Sequence, residues 1–509
     1  MISLLGGVAL FLFGMTLMGD GLKKVAGNKL EIILYKLTST PLKGVLLGTG
    51  VTAVIQSSSA TSVMVVGFVN SGMMQVRQAI GIVLGSILGT SITGWILCLS
   101  DISGSGWVSL LSTATLTGVV AVVKHHDGFC MWPTKSTDFN VTASAGVGPQ
   151  VDIPKLVSEA CRKHGMKFGV YLSPWDANAS NYATQDYIDQ NFRTQLTELL
   201  TNYGEVFEVW FDGANGGTGY YGGTRPTTKN IDKTTYYDWP NIADFVHKLQ
   251  PGATVWGREF RWCGNEDGYS GRTCWSNSDI RSVQGEGNNN TGYEEGFEFI
   301  PSESDVRTSQ NWFWHANENI KSAEELYKIY LETVGRNATL IMNCAANTDG
   351  VLSDTQVRNL GQLGELLETR LTNNFALTAT SITADQVRDG GKYDAKNVAD
   401  NDKETYWATN DGQTTGSVTI ELPETQQVHY VMLQEYMKLG QRVRAFNIEF
   451  STDGSTWRSF AEGTTIGHKR IMARNDDTSS YGRGIPAKYI RVNITDSRAC
   501  PLLSNIAIY

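Results

Sequence analysis

LTGVVAVVKHHDGFCMW, residues 116–132, decides how the rest of the chain is read. Its apolar run, Val119–Val123, is strand-length and rich in β-branched residues, and it stops abruptly at Lys124, His125, His126, Asp127 and Gly128. A short continuous apolar run bounded by a turn signal is a buried strand. Polar side chains set directly after such a strand stand where a (β/α) barrel collects its chemistry.

Downstream, apolar strands alternate with amphipathic helices. A helix is expected from about Ile153, capped by Asp152, with Pro154 in its first turn and a stop at Gly165. The strand MKFGVYLS follows, then a helix around Arg193–Tyr203, the strand VFEVWF, a helix over Ile242–Gln250 and a strand at Thr254–Trp256. Ser322 and Glu325 form a capping-box pattern, ATLIMN is a strand, and Asp354–Arg370 is a last helix. Repeated βα units over this length indicate a (β/α)8-type barrel. From about Asn374 the period changes to two. GSVTIEL, VHYVMLQEY, FNIEFSTDGSTWRSF with a turn at Asp453–Gly454, KYIRVNIT and SNIAIY are strands with no helices between them, a β-sandwich.

With 509 residues, the chain is expected to hold about three domains. Its 41% hydrophobic content excludes disorder, and a net charge of −9 argues against nucleic acid as a partner. The charge is uneven: residues 1–100 hold six Lys/Arg and two acids, leaving the remainder at −13. The seven cysteines contain no CxxC pair, so neither a zinc knuckle nor a disulfide framework is indicated.

Residues 1–19, 44–76 and 78–100 carry no charge, and each stretch is long enough to cross a bilayer as a helix. The middle one is interrupted by Gln56, Ser57, Ser58 and Ser59. Polar groups at that depth face protein or a water-filled cavity, either packing against a neighbouring helix or forming an ion site in a broken helix. QSSSATSV and GSILGTSITG resemble one repeat of the sodium/phosphate cotransporter family, whose fold pairs two inverted copies; one copy is present here, over residues 1–100. The basic residues of segment 20–43 and Arg77 flank the hairpin. The positive-inside rule then makes the chain membrane-anchored, with Asp101 onward outside the cytoplasm.

Strand ends carry the remaining signal. GVYLSPWD offers Tyr171, Trp175 and Asp176, and EVWFDGANGG offers Trp210 and Asp212. Aromatic faces, hydroxyl-binding polar groups and paired carboxylates are what glycan cleavage needs. His125 and His126 suit sugar hydroxyls better than a metal, because adjacent residues on a strand end point different ways and no third ligand is evident.

KHHDGF, KFGVYLSPWD, TELLTNYGEVFEVWFDGA, RWCGNEDGY, ESDV with NWFWH, and YLETVGRNATLIMN resemble, in order, the retaining α-L-fucosidases of glycoside hydrolase family twenty-nine. The branch with SPWD and GNE resembles enzymes acting on 1,3/1,4-linked fucose. The resemblance implies Asp212 as nucleophile, Glu266 as acid/base with Glu303 as fallback, and His125, His126, Tyr171, Trp175, Trp210 and Arg261 as fucose-binding residues. It implies fucosylated oligosaccharides or glycoconjugates as substrates and no cofactor for catalysis. One departure stands out: the family's opening strand with its His-Trp pair has no counterpart before Leu116.

VADNDKETYW, at residues 398–407, resembles the loop of discoidin-type domains and family thirty-two carbohydrate-binding modules. That resemblance implies a structural Ca²⁺ held by Asp400, Asp402 and Thr405; an acidic turn without an ion is the alternative.

The expected fold is therefore multidomain. A transmembrane α-helical segment (1–100) and a junction (101–115) precede a (β/α)8-type barrel lacking its first strand (116–372) and a discoidin-like carbohydrate-binding β-sandwich (373–509). The rival functions are a membrane-tethered protein that binds fucosylated glycans without turnover, and half of a sodium-dependent phosphate transporter completed by a second copy.

Overall fold

The computed structural model of the chain describes scattered positions between residues 38 and 83, and residues 118–144, 150–212, 216–279, 290–388, 391–479 and 484–509. It divides into two compact units, Met1–Ser109 and Leu110–Tyr509.

In the first unit the described positions are mostly helical, and Val65, Phe68, Met74, Ala79 and Ile82 form a small apolar cluster. Gln78 Nε2 donates to Thr38 Oγ1 at 2.8 Å. Among the described residues, no helix is long and apolar enough to cross a membrane. The transmembrane expectation thus gains no support from the fold. Its three spans lie wholly or largely outside the described residues, and Gln56–Ser59 lie wholly outside them.

Among the described residues, the first part of the second unit holds seven parallel strands, with two short antiparallel pairs on the connections between them. β1 (Gly118–Lys124), β2 (Lys167–Leu172), β3 (Glu208–Trp210) and β4 (Thr254–Val255) pair in that order. β5 (Arg261–Trp262), β6 (Ser302–Arg307) and β7 (Ala338–Asn343) form a second ribbon. A parallel bridge from Trp256 to Phe260 joins the two at their inner boundary. Helices α1 (Ile153–Lys163), α2 (Arg193–Asn202), α3 (Trp239–Leu249), α4 (Ala323–Thr333) and α5 (Asp354–Leu371) connect or follow the strands.

Local chemistry accounts for the helix ends. The Asp152 side chain accepts from Lys155 N at the start of α1, Gly165 at φ +67° closes its exit, and Ser322 with Glu325 completes a capping box on α4. A second capping box, Ser353 with Gln356, opens α5. The Ile242 start expected for the third helix falls inside α3, because Pro240 opens the helix a turn earlier. β6 escaped an apolar-run criterion: its sequence is SESDVR, yet four of its six residues are buried.

Among the described residues β1 pairs only with β2, and β7 only with β6. The two outer strands are poorly covered: Val122 is 46% exposed and no residue of β7 is buried, whereas Phe168, Gly169, Val170 and Leu172 of β2 all are. A closed barrel has no edges, so among the described residues the seam between β7 and β1 is open.

Two antiparallel sheets follow. The first takes β8 (Ser381–Ala384), β10 (Gly416–Val428), β15 (Ile485–Ser497), β12 (Val443–Ser451) and β13 (Arg458–Gly463) in that order. The second takes β9 (Trp407–Ala408), β16 (Leu502–Ile508), β11 (Tyr430–Glu435) and β14 (Arg470–Ala473). Trp407, Ile420, Phe446, Ile448, Phe460, Val492 and Ile506 pack between the sheets. Side-chain hydrogen bonds tie sandwich to barrel: Cys274 N donates to Thr465 Oγ1 at 2.8 Å, and His468 N to Asn337 Oδ1 at 2.7 Å.

Candidate active site

The C-terminal ends of β1, β2 and β3 bring the site together. Register sets Tyr171 beside Trp210 on neighbouring strands, and their rings stack at 5.4 Å with a 12° interplanar angle. His125 lies parallel to Tyr171 on its other side, with centroids 5.7 Å apart, and Phe313 meets His125 edge-on at 5.1 Å. The result is an aromatic wall of His125, Tyr171 and Trp210.

Asp212, two residues beyond β3, stands at the edge of this wall. Tyr171 Oη donates to its Oδ2 at 2.5 Å, and His126 Nε2 lies 3.4 Å from the same oxygen. His126 is oriented from behind by Ser173 Oγ, 2.8 Å from Nδ1. The Trp175 ring lies 5.1 Å from His126, and its Nε1 donates to Tyr221 Oη at 3.1 Å. Burial pushes His126 down to about 4 and lowers His125 as well, with Asp212 opposing in both cases. Both imidazoles are neutral near pH 7. The Tyr171 hydroxyl is pushed up, first by burial and then by Asp212, so it stays a donor.

His125, His126 and Asp212 also have the composition of a metal site, their ligand atoms lying within 4.8 Å of one another. The third ligand missing from the sequence reading is supplied by β3, a different strand. The Asp212 Oδ2 is already shared by Tyr171 and His126, an arrangement that suits orienting a carboxylate.

Glu266 is exposed and accepts from Trp312 Nε1 at 3.2 Å. Its charge acts on Tyr171 and Asp305, as that of Asp212 does. Asp305, on β6, was missed by sequence reasoning although ESDV carried it. It accepts from Trp262 Nε1 at 2.7 Å, and burial raises its carboxyl above the usual range. Period-two alternation from Glu303 would have put both on one face.

The structure places two expected site residues, Arg261 and Glu303, away from the mouth, and turns Asp176, noted at a strand end, inward. Arg261 is the first residue of β5, at the end of the strand away from the mouth; its buried guanidinium binds the Ile300 and Trp275 carbonyls, the latter at 2.7 Å, so it is a scaffold group. Glu303 is the second residue of β6 and only 4% exposed, holding Trp210 Nε1 at 2.7 Å inside the barrel. A proton donor needs access to the leaving group, which this position denies. Asp176 is turned inward onto Lys124 at 3.5 Å and caps Asn178 N and Ala179 N.

In the sandwich, Thr405 Oγ1 donates to Asp400 Oδ2 at 2.6 Å and lies 3.1 Å from the Asp402 carbonyl, in an exposed loop. These are hard oxygen donors converging on one turn, a set that fits Ca²⁺.

The alpha-L-fucosidase family model matches residues 103–370, over half of the chain. The chain belongs to the alpha-L-fucosidase family. Alpha-L-fucosidase 1 of Arabidopsis thaliana is 30% identical over 424 residues, which cover 81% of this chain and 79% of the plant protein. A glycoside hydrolase 29 fucosidase of Ruminococcus gnavus, solved in complex with fucose, is similar at 29% identity and a TM-score of 0.68, covering 79% of this chain and 84% of that one. The fucosidase chain carries two further matches: an F5/8 type C domain at residues 378–505 and a Na+/Pi-cotransporter at residues 10–132. Sodium-dependent phosphate transport protein 2A of Rattus norvegicus is 34% identical over 99 residues, 19% of this fucosidase chain and 15% of the transporter. Transporter-like and fucosidase-like sequence are thus fused in one polypeptide, with glycosidase sequence forming the larger part.

Proposed function

We propose that this fucosidase works with retention, Asp212 as nucleophile and Glu266 as acid/base. The observation that carries this is the Asp212 carboxylate, held by Tyr171 and His126 at the rim of an aromatic wall, with Glu266 acting on the same neighbours. Asp212 Oδ attacks the anomeric carbon as the glycosidic oxygen departs with the Glu266 proton. Glu266 then takes a proton from water, whose oxygen attacks the anomeric carbon and releases fucose with Asp212 regenerated. His125, His126, Trp175 and Trp210 bind the sugar, the neutral imidazoles through its hydroxyls and the indoles through its C–H faces.

The proposed substrates are fucosylated oligosaccharides or glycoconjugates with 1,3 or 1,4 linkages. The sandwich would bind glycan beside the barrel, its Asp400, Asp402 and Thr405 holding a structural Ca²⁺. Residues 1–100 would anchor the chain in a membrane with the barrel outside the cytoplasm, a reading supported by their charge-free stretches. The test is hydrolysis of an aryl α-L-fucoside followed by NMR. Release of α-fucose first supports retention, and β-fucose first overturns it.

A further inference from the structure

Glu266 extends from a firmly held turn, but its side chain has a single anchor. Asn265 pins the turn: its Nδ2 donates to the Tyr269 carbonyl at 2.8 Å, and its Oδ1 accepts from Asp267 N at 3.2 Å. Asp267 in turn bridges antiparallel to Val306 of β6. The Glu266 carboxylate is exposed and, among the described residues, has one hydrogen-bond donor, Trp312 Nε1 at 3.2 Å. Trp312 lies on the connection between β6 and α4, and the ends of two strands hold it. Arg307, the last residue of β6, sets its guanidinium 5.5 Å from the centre of the Trp312 ring and donates Nη1 to the Gln310 carbonyl at 3.4 Å. Asn343, the last of β7, donates Nδ2 to the Trp312 carbonyl at 2.7 Å, and a bridge between Ser309 and Ile320 closes the loop at its base.

We infer that Trp312 and Arg307 are positioning residues for Glu266: the indole N–H fixes Oε2, leaving Oε1 to carry the proton to the leaving oxygen, and the guanidinium over the ring strengthens that N–H. The inference rests on reading Glu266 as the acid/base. An exposed glutamate turns about several bonds, whereas a proton donor must keep one direction; misplacement by about 1 Å costs on the order of 100-fold in rate. A single directed donor on the far oxygen removes that freedom. As the proton passes from Oε1 to the glycosidic oxygen, the C–O bond breaks with its electron pair on that oxygen, and negative charge grows on the carboxylate where the Trp312 N–H already points. A cation on the ring face draws on the π electrons and leaves the N–H at the ring edge more positive. The other groups facing Glu266 do not hold it: Asp305 repels it, and the Tyr171 hydroxyl is committed to Asp212.

The experiment compares the full chain with its Trp312→Phe, Arg307→Met, Arg307→Lys and Glu266→Ala variants, each checked for folding by far-UV circular dichroism. The value of kcat/KM, which reports the bond-breaking step, is measured on two substrates: a chloronitrophenyl α-L-fucoside, whose leaving group needs no proton, and phenyl α-L-fucoside, whose leaving group does. Trp312→Phe keeps a ring and removes the N–H. It should lower kcat/KM at least about 10-fold on the phenyl substrate and less than about threefold on the activated one. Arg307→Met should show the same split at about threefold, and Arg307→Lys should match the parent. The inhibition constant of L-fucose should stay within about twofold of the parent throughout. The fucose-side contact of this loop is made by Phe313, edge-on to His125 at 5.1 Å, so a collapsed loop would move that constant. Trp312→Phe losing equally on both substrates, losing nothing on the phenyl one, or shifting the fucose constant in step with kcat/KM overturns the inference. If Trp312→Phe fails to fold, Arg307→Met against Arg307→Lys decides, equal values for the two overturning it. A split in Glu266→Ala without one in Trp312→Phe overturns the inference alone. Glu266→Ala without a split overturns the acid/base reading and the inference with it, as does a parent that hydrolyses neither substrate.

Discussion

Asp212, the proposed nucleophile, makes a direct prediction. Asn keeps the shape and the contact with Tyr171 but cannot form the glycosyl ester, so Asp212→Asn should lower kcat on an aryl fucoside about 1,000-fold or more. Far-UV circular dichroism should be unchanged; retention of more than a few per cent of activity would remove Asp212 from the role. His126 gives a stability prediction with a definite sign. Its folded value is about 4 against an ordinary 6.5, lowered chiefly by burial, so the folded state binds fewer protons in that interval. The stabilisation is fully present above pH 6.5 and is lost as pH falls towards 4. The urea midpoint should therefore drop between pH 7 and pH 4.5 in the parent, and by less in His126→Asn; equal drops would place the acid sensitivity elsewhere. The presence of these residues at one site was legible in the sequence because each follows an apolar strand. What each does was not legible for Arg261, Glu303 and Asp176, because position along a strand separates mouth from interior. Arg261 and Glu303 enter their strands at the far end, and Asp176 faces a lysine fixed by β1.

Elements hold the site through one buried ion pair. Lys124 ends β1, and its Nζ reaches both Asp176 at 3.5 Å and Tyr187 Oη at 3.0 Å, with the two charged side chains almost fully buried. Between them the chain turns at Gly128, φ +86°, where a Cβ would stand 2.2 Å from Asp176 Oδ1, so a side chain there is excluded by space and by backbone conformation. The pair thereby locks the loop carrying His125 and His126 to the loop carrying Trp175. Lys124→Met should leave Asp176 as an uncompensated buried charge and cost about 3 kcal/mol or more. Urea unfolding of the parent and variant measures this, and a loss below about 1 kcal/mol would show that Asp176 is satisfied by its loop amides alone. Helices and long apolar strands were legible here because caps and periodicity are local signals. β5 and β6 were not, since a two-residue strand and SESDVR owe their strand state to neighbours across the barrel.

At the scale of the whole molecule, the decisive feature is the seam between β7 and β1. The order of motifs made three regions legible in the sequence, and the lack of the family's opening motif was visible because nothing before Leu116 resembles it. How far β1 and β7 are uncovered could not be read from the sequence, because exposure depends on packing across the barrel. Val122 at 46% exposure and a β7 with no buried residue give the answer. His125 and His126 leave β1, which pairs only with β2 among the described residues, so the aromatic wall stands beside that edge. Among the described residues neither outer edge has a partner strand; an open edge admits water next to Asp212, and loss of positioning alone costs about 100-fold in rate. The chain should therefore bind fucose but turn over an aryl fucoside measurably and about 100-fold more slowly than a complete family member. Grafting a family-type first strand and helix ahead of Leu116, in place of the transporter-like segment, should raise kcat/KM by at least about 100-fold and protect the β1 and β7 amides from hydrogen exchange. If the unaltered chain already matches a complete family member in kcat/KM, the seam is closed by other means and its two edge strands do not limit catalysis.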